Sequence, residues 1–156
     1  MRAKVFSIVS RVKILLKESK GVVPGEAELE ISHHFGLEHF DQYGITMVTV
    51  VNRGYCKKLI VVLPGQKHPE QFHRCKEETF HVLHGELRLR LDDEERICGP
   101  GSVVTIAPGV RHAFESANGA VFEEISSTHF ANDSFYTDES ITKNQNRKTL
   151  LRYWIG

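Results

Sequence analysis

Apolar residues at Val5, Ile8, Val9, Val12, Leu15 and Leu16 recur every three or four positions, while Lys4, Ser7, Arg11 and Lys17 fall between them. That spacing gathers the apolar set into one stripe and predicts an amphipathic helix over residues 4–18, closed by Gly21 and Pro24. The stripe needs other apolar surface to cover, and the outside of a sheet is the expected place. After Pro24-Gly25 the period changes to two: Ala27, Leu29 and Ile31 alternate with Glu26, Glu28 and Glu30, as on a strand with one wet face.

A helical turn is expected over 37–43, ending at Gly44. Residues 45–51 and 58–63 are rich in β-branched side chains and flank Asn52-Arg53-Gly54, so they read as a hairpin. Short strand-like runs follow at 71–77, 79–83, 86–91, 96–98, 103–106, 112–116 and 120–126. Turn sequences such as His84-Gly85, Gly99-Pro100-Gly101, Pro108-Gly109 and Asn118-Gly119 separate them. This punctuation predicts an all-β sandwich or jelly-roll barrel. We expect one domain: helix and linker over 1–24, barrel over 25–130, and a tail over 131–156 that is loop-like at 132–146 and returns to the fold at 150–155.

Composition narrows the partners. A chain of 156 residues can bury a sufficient core without staples. Twenty basic residues balance twenty acidic ones, so no overall field favours nucleic acid or an anionic membrane. Cys56, Cys75 and Cys98 are odd in number and lack CxxC spacing, which suits reduced thiols and a cytoplasmic location. Val5 to Leu16 is interrupted by Arg11 and Lys13 and is too short to span a bilayer.

The chemistry concentrates in two segments, Gly65-x5-Gln71-Phe72-His73-x4-Glu78-x6-Gly85 and Gly101-x7-Gly109-x2-His112. Gln71 and His73, two apart on one strand, share a face; Glu78 opens the next strand, and His112 comes from the opposite wall. Two imidazoles, a carboxylate and an amide oxygen suit one divalent ion, Mn, Fe, Ni, Co or Zn, with positions left open. His68 is an alternative to Gln71, although Pro69 suggests a loop there. His33, His34 and His39 read as packing or surface residues, and alternation prevents His81 and His84 from both facing the cavity. By the same alternation one of Glu123 and Glu124 points inward as a candidate acid or base, and His129 can reach the barrel mouth. Lys76 and Arg111 are candidate cations for an acidic substrate group, with solvated charge the competing reading for Lys76 and Glu77.

The two segments resemble the paired motifs of the cupin family, G(x)5HxH(x)4E(x)6G and G(x)5PxG(x)2H. Every interval fits, with Gln71 in place of the first histidine and Ala107 in place of the proline. The resemblance implies a double-stranded β-helix barrel around a single metal. Further stretches, among them Glu28-Leu29-Glu30-Ile31-Ser32-His33-His34, Leu63-Pro64-Gly65-Gln66 and Phe122-Glu123-Glu124-Ile125-Ser126-Ser127-Thr128-His129, resemble the cupin module at the C-terminal end of N-acetylneuraminate (sialic acid) synthase-like proteins. That likeness implies an amino-sugar, nonulosonic acid or sugar phosphate ligand, a polysaccharide-synthesis context and a synthase-like protein as a partner. It does not carry over the condensation reaction, whose barrel needs about 250 residues. The expected function is a metal-dependent sugar isomerase or epimerase; a non-catalytic sugar-binding module and a dioxygenase are the alternatives. A homodimer built partly from the N-terminal segments is expected, with two-fold symmetry as the default.

Overall fold

The computed structural model describes residues 1–155 and places the first apolar stripe where its spacing predicts. Helix α1 (Arg2–Ser19) buries Ile8, Val12, Leu15 and Leu16, and Lys20 in the left-handed conformation ends it by returning its N–H to the Leu16 and Lys17 carbonyls. The strand expected around Ala27 to Ile31 is β1 (Leu29–His33). A 3-10 turn (Leu37–His39) and α2 (Phe40–Tyr43) then lead into the predicted hairpin, β2 (Gly44–Asn52) and β3 (Tyr55–Val62).

The barrel strands follow as β4 (Lys67–Phe72), β5 (Glu78–Gly85), β6 (Leu87–Leu91), β7 (Glu94–Cys98), β8 (Val103–Ile106), β9 (His112–Glu115) and β10 (Ala120–Ser127). The tail adds β11 (Phe135–Tyr136), α3 (Glu139–Lys143) and β12 (Lys148–Leu151). Two antiparallel sheets face each other, ordered β12-β1-β2-β3-β10-β5-β8 and β11-β4-β9-β6-β7. This is the predicted jelly roll with a helix on its outside.

The larger sheet is covered on both faces, and this explains the unbroken apolar run in β3. Leu59 and Val61 pack under α1 with Leu29, Ile31 and Val121. Ile60 and Val62 point the other way, into the barrel with Phe80, Phe114 and Phe122. Burial on both faces removes the alternation that a half-wet strand shows.

Two expectations need correction. The run 71–77 is not a strand: β4 starts at Lys67 and ends at Phe72, so His73 lies just past its end in a loop. The stretch 132–146 is not all loop, since it holds β11, paired with β4 (Phe135↔Phe72), and α3. Beyond it the chain returns to the fold: β12 pairs with β1 (Leu29↔Leu151), and buried Trp154 donates its indole N–H to the Ala27 carbonyl at 2.8 Å. Short polar strands carry a weak periodic signal, and these two exist because a partner edge was available.

Gly85 closes β5 at φ 76°, where an added Cβ would lie 2.1 Å from the Gly119 carbonyl oxygen. The obstacle is backbone of the neighbouring turn and cannot rotate away. Gly85→Ala is expected to destabilise the barrel by about 2 kcal/mol or more, from strain plus clash, in a urea titration. A midpoint equal to that of wild type would show that the two turns separate freely.

Candidate metal centre

Three side chains from three elements converge at one end of the barrel. Glu78 is the first residue of β5 and His112 the first of β9, in facing sheets, while His73 enters from the loop after β4. The His112 Nε2 lies 2.7 Å, and the His73 Nε2 3.4 Å, from the same Glu78 carboxylate oxygen. One ligand atom from each of the three falls within 4.8 Å of the others. All three residues are buried.

The protonation pattern defines what this cluster lacks. His73 Nδ1 faces the Asp133 carbonyl at 2.8 Å and His112 Nδ1 the Val110 carbonyl at 3.0 Å, so each Nδ1 carries the proton and each Nε2 turns a lone pair inward. Those two nitrogens and both Glu78 oxygens are buried without a properly aligned hydrogen bond. Acceptors facing acceptors in a dry site are held together by a cation or by extra protons. Without an ion, burial favours the neutral acid, but close contact with Glu124, His112 and His73 and the charge of Lys76 outweigh it and hold the Glu78 carboxyl well below its ordinary range. Burial of His112 opposes its protonation, but contact with Glu78 prevails and raises its pKa. Two Nε2 atoms fixed by carbonyl bonds on Nδ1, plus a carboxylate, fit a divalent transition metal with open coordination positions. Gln71, half-buried on β4, pairs in register with His112 and lines the adjoining cavity.

A single residue from the tail holds the loop that carries His73. Besides the carbonyl that fixes His73, Asp133 offers its carboxylate to the backbone N–H groups of Arg74 (2.9 Å), Cys75 (3.2 Å) and Lys76 (3.0 Å). Asp133 was not anticipated as a site residue. It is sixty positions from His73, and its run Asn132-Asp133-Ser134 signals only turn chemistry.

Beside the cluster runs a line of alternating charges. Lys76 is buried, with its ammonium 3.3 Å from Glu78, 3.1 Å from Glu124 and 3.4 Å from the Nδ1 of His129. The solvated reading of Lys76 therefore fails, whereas Glu77 next to it is exposed. Burial works against the Lys76 charge, but Glu124 and Glu78 raise its pKa. Glu124 is the inward member of its pair. Burial and the Glu78 charge push it up to about 7, with Lys76 opposing. Glu123 faces outward to Lys57 at 3.0 Å and His81 at 3.2 Å, and so drops out as a cavity residue. His129 reaches the cavity as expected, and burial with the nearby cations Lys58, Lys76 and Lys148 lowers it to about 3, so it is neutral near pH 7.

Two other readings are corrected. Arg111 does not line the cavity: it alternates away from His112, is exposed, and sits over the Phe72 ring at 5.9 Å. His68 lies on β4 rather than in a loop, stacked on Phe114 at 4.7 Å with its Nδ1 bonded to the Pro69 carbonyl. His34 is buried and lines the same cavity, with its Nε2 3.4 Å from the Tyr136 hydroxyl. Glu30, Ser32, Lys58, Ser134, Tyr136 and Lys148 complete the polar lining and were missed, since none carries motif spacing. The free space is about 50 Å³, room for several water-sized groups.

Comparison with known proteins agrees with this geometry. The cupin domain family matches residues 58–123. The D-lyxose/D-mannose isomerase of Thermosediminibacter oceani is 28% identical over 173 residues, covering 91% of this chain and 95% of that protein. The D-lyxose ketol-isomerase of Cohnella laeviribosi is also 28% identical, over 81% of this chain and 86% of its own length. The structure of Cellulomonas parahominis L-ribose isomerase, determined with L-ribose, superposes with a TM-score of 0.76 at 14% identity, covering 90% of this chain and 94% of that one. The fold is the cupin jelly roll. These relatives are sugar isomerases rather than sialic acid synthase modules, so the expected link to nonulosonic acid and polysaccharide synthesis is not supported. Among the described residues no helix is long and apolar enough to cross a membrane.

Removing the Asp133 carboxylate should loosen the His73 loop. Asp133→Ala is expected to weaken metal binding by about tenfold to a hundredfold in a competition assay with a chromophoric chelator; unchanged affinity would show that the loop holds its shape unaided. A second expectation concerns acid. Burial, reinforced by Arg147 and Lys148 against the bond to the Tyr43 carbonyl, lowers His34 from 6.5 to about 4. Between those values the unfolded chain binds a proton that the fold refuses, so stability should fall as pH falls, by up to about 1.4 kcal/mol per pH unit, and level off below. Thermal melts of metal-free His34→Gln should show a shallower acid slope than wild type, and equal slopes would refute the assignment.

Proposed function

We propose that this cupin-fold chain is a metal-dependent aldose–ketose isomerase for free sugars of the lyxose, mannose and ribose type. The observation that carries the reading is the buried carboxylate Glu124, one lysine away from a three-ligand metal cluster, in a chain similar over most of its length to sugar isomerases. The sugars named for the relatives share one configuration at C2 and C3; L-ribose differs from D-lyxose and D-mannose at C4, and mannose carries one carbon more. A common site for C1 to C3 is therefore the economical expectation.

Interconversion of aldose and ketose moves one proton between C2 and C1 and another between the two oxygens, with no net change in composition. His73, Glu78 and His112, with the amide oxygen of Gln71 as the proposed fourth ligand, would hold a divalent ion, whose Lewis acidity would favour loss of the C2 proton. Glu124 is assigned as the base that takes the C2 proton and returns it to C1 from the same face of the enediol. A carboxyl with a pKa of about 7 suits both directions of that transfer. Lys76 holds Glu124 in place through its 3.1 Å contact and presents N–H donors toward the sugar oxygens. His129, neutral beside Lys76, is assigned a supporting role in moving the proton between oxygens.

The test is ketose formation from D-lyxose, D-mannose and L-ribose by protein loaded in turn with Mn, Co, Ni, Fe or Zn. Conversion to D-xylulose, D-fructose or L-ribulose is expected. Bound metal with no ketose from any of the three sugars would overturn the isomerase reading in favour of a binding module. Glu124→Gln should retain metal and lower kcat by about 10²–10⁴-fold, the usual contribution of a positioned base. A loss below threefold would remove Glu124 from that role.

A further inference from the structure

The cavity holds a second pair of opposite charges, at a distance from the metal cluster. Lys58 is 5% exposed, and its ammonium makes one hydrogen bond, to the thioether sulfur of Met47 at 3.9 Å. Among the described residues no carboxylate forms an ion pair with it. Glu30 is held from one side: Ser32 Oγ (2.8 Å) and Lys148 Nζ (3.2 Å) both bind its Oε1, while Oε2 has no hydrogen bond. Both residues line the same cavity, and Lys58 contributes to lowering the Glu30 pKa, yet the two groups do not touch.

A buried ammonium with spare protons and a carboxylate oxygen with spare lone pairs, separated by a gap, match the dual nature of a hydroxyl group. An alcohol accepts from the first and donates to the second at once. Their location relative to Glu124 sets which hydroxyl. Lys58 is the register partner of Glu124 across β3 and β10, so their backbones stand about 4.8 Å apart, one strand spacing. Glu30 is the register partner of Met47, which in turn faces Ile60 on β3, two residues beyond Lys58. A sugar with C1 and C2 at Glu124 and the metal ligands extends its next carbons over Lys58 toward Glu30.

We propose that Lys58 and Glu30 form a distal subsite that reads the hydroxyl configuration at C4 of the aldose. This inference rests on the isomerase reading and adds the element that reading lacks, since the sugars of the relatives agree at C2 and C3. Glu30 lies on β1, outside the span matched to the cupin domain. The metal ligands and Lys58 lie within that span and Glu124 one residue past its end, so in this reading the N-terminal strand adds its part of the selectivity from outside the matched barrel.

The test compares D-lyxose and L-ribose, which differ only at C4, with wild type, Lys58→Met and Glu30→Gln, each loaded with the metal that best supports wild-type turnover. Both variants should keep their metal content and melt cooperatively. The ratio of kcat/KM for the two sugars should move toward one by at least tenfold, mostly through KM of the preferred sugar. A ratio unchanged within twofold, or an equal fall for both sugars, overturns the inference. Glu30→Gln alone decides the matter if Lys58→Met fails to fold, because Gln keeps the shape and the Ser32 contact. If wild type converts neither sugar, the isomerase reading itself falls and takes this inference with it.

Discussion

The arrangement of this site depends on four buried acceptor atoms that face one another. Carbonyl groups at Asp133 and Val110 fix the tautomers of His73 and His112, and those tautomers turn unprotonated nitrogens onto the Glu78 carboxylate. With all three residues buried, solvent screens this repulsion poorly, so positive charge is favoured at that spot. Lys76 supplies some from the side, and a divalent ion held by these three residues would supply what remains. The same carboxylate then conditions its neighbours: its charge helps to hold Lys76 protonated and to keep Glu124 near pH 7.

The rest of the cavity is arranged in charge and neutrality by position. The line Glu78, Lys76, Glu124 alternates in sign at contact distance, which lets three ionisable groups share a buried wall. The imidazoles of His34 and His129 stay neutral there, since burial and nearby cations disfavour a further positive charge. Neutral rings can both donate and accept, as a polyhydroxyl substrate requires. Farther along, Lys58 and Glu30 remain unpaired with each other, an arrangement that suits occupation by a hydroxyl ligand.

The fold accounts for a division of labour. β5, β9 and β10, all within or bordering the matched cupin span, carry Glu78, His112 and Glu124. Residues from β1, β11 and β12, at the outer edges of the sheets, close the cavity with Glu30, Tyr136 and Lys148. Such a plan lets the outer strands change without disturbing the three-residue cluster.

Much of this was legible in the order of residues. Spacing of three and four placed α1, spacing of two placed β1, β-branched runs punctuated by turn residues placed most other strands, and fixed intervals between glycines singled out His73, Glu78 and His112. These are local signals: they depend on residues a turn or a hairpin apart. The sequence also limited the inward carboxylate to one of Glu123 and Glu124, but choosing between them required the register of β10 against β3 and β5. It left Lys76 open between a cavity cation and a solvated charge and put Arg111 at the rim, whereas packing buried Lys76 in the cavity wall and turned Arg111 away from it, because exposure belongs to the surroundings of a side chain and not to its identity. Asp133, Glu30 and Lys58 acquired their parts only when the chain closed. Each acts on groups tens of residues away, and no periodicity within a strand records which distant strand will lie opposite.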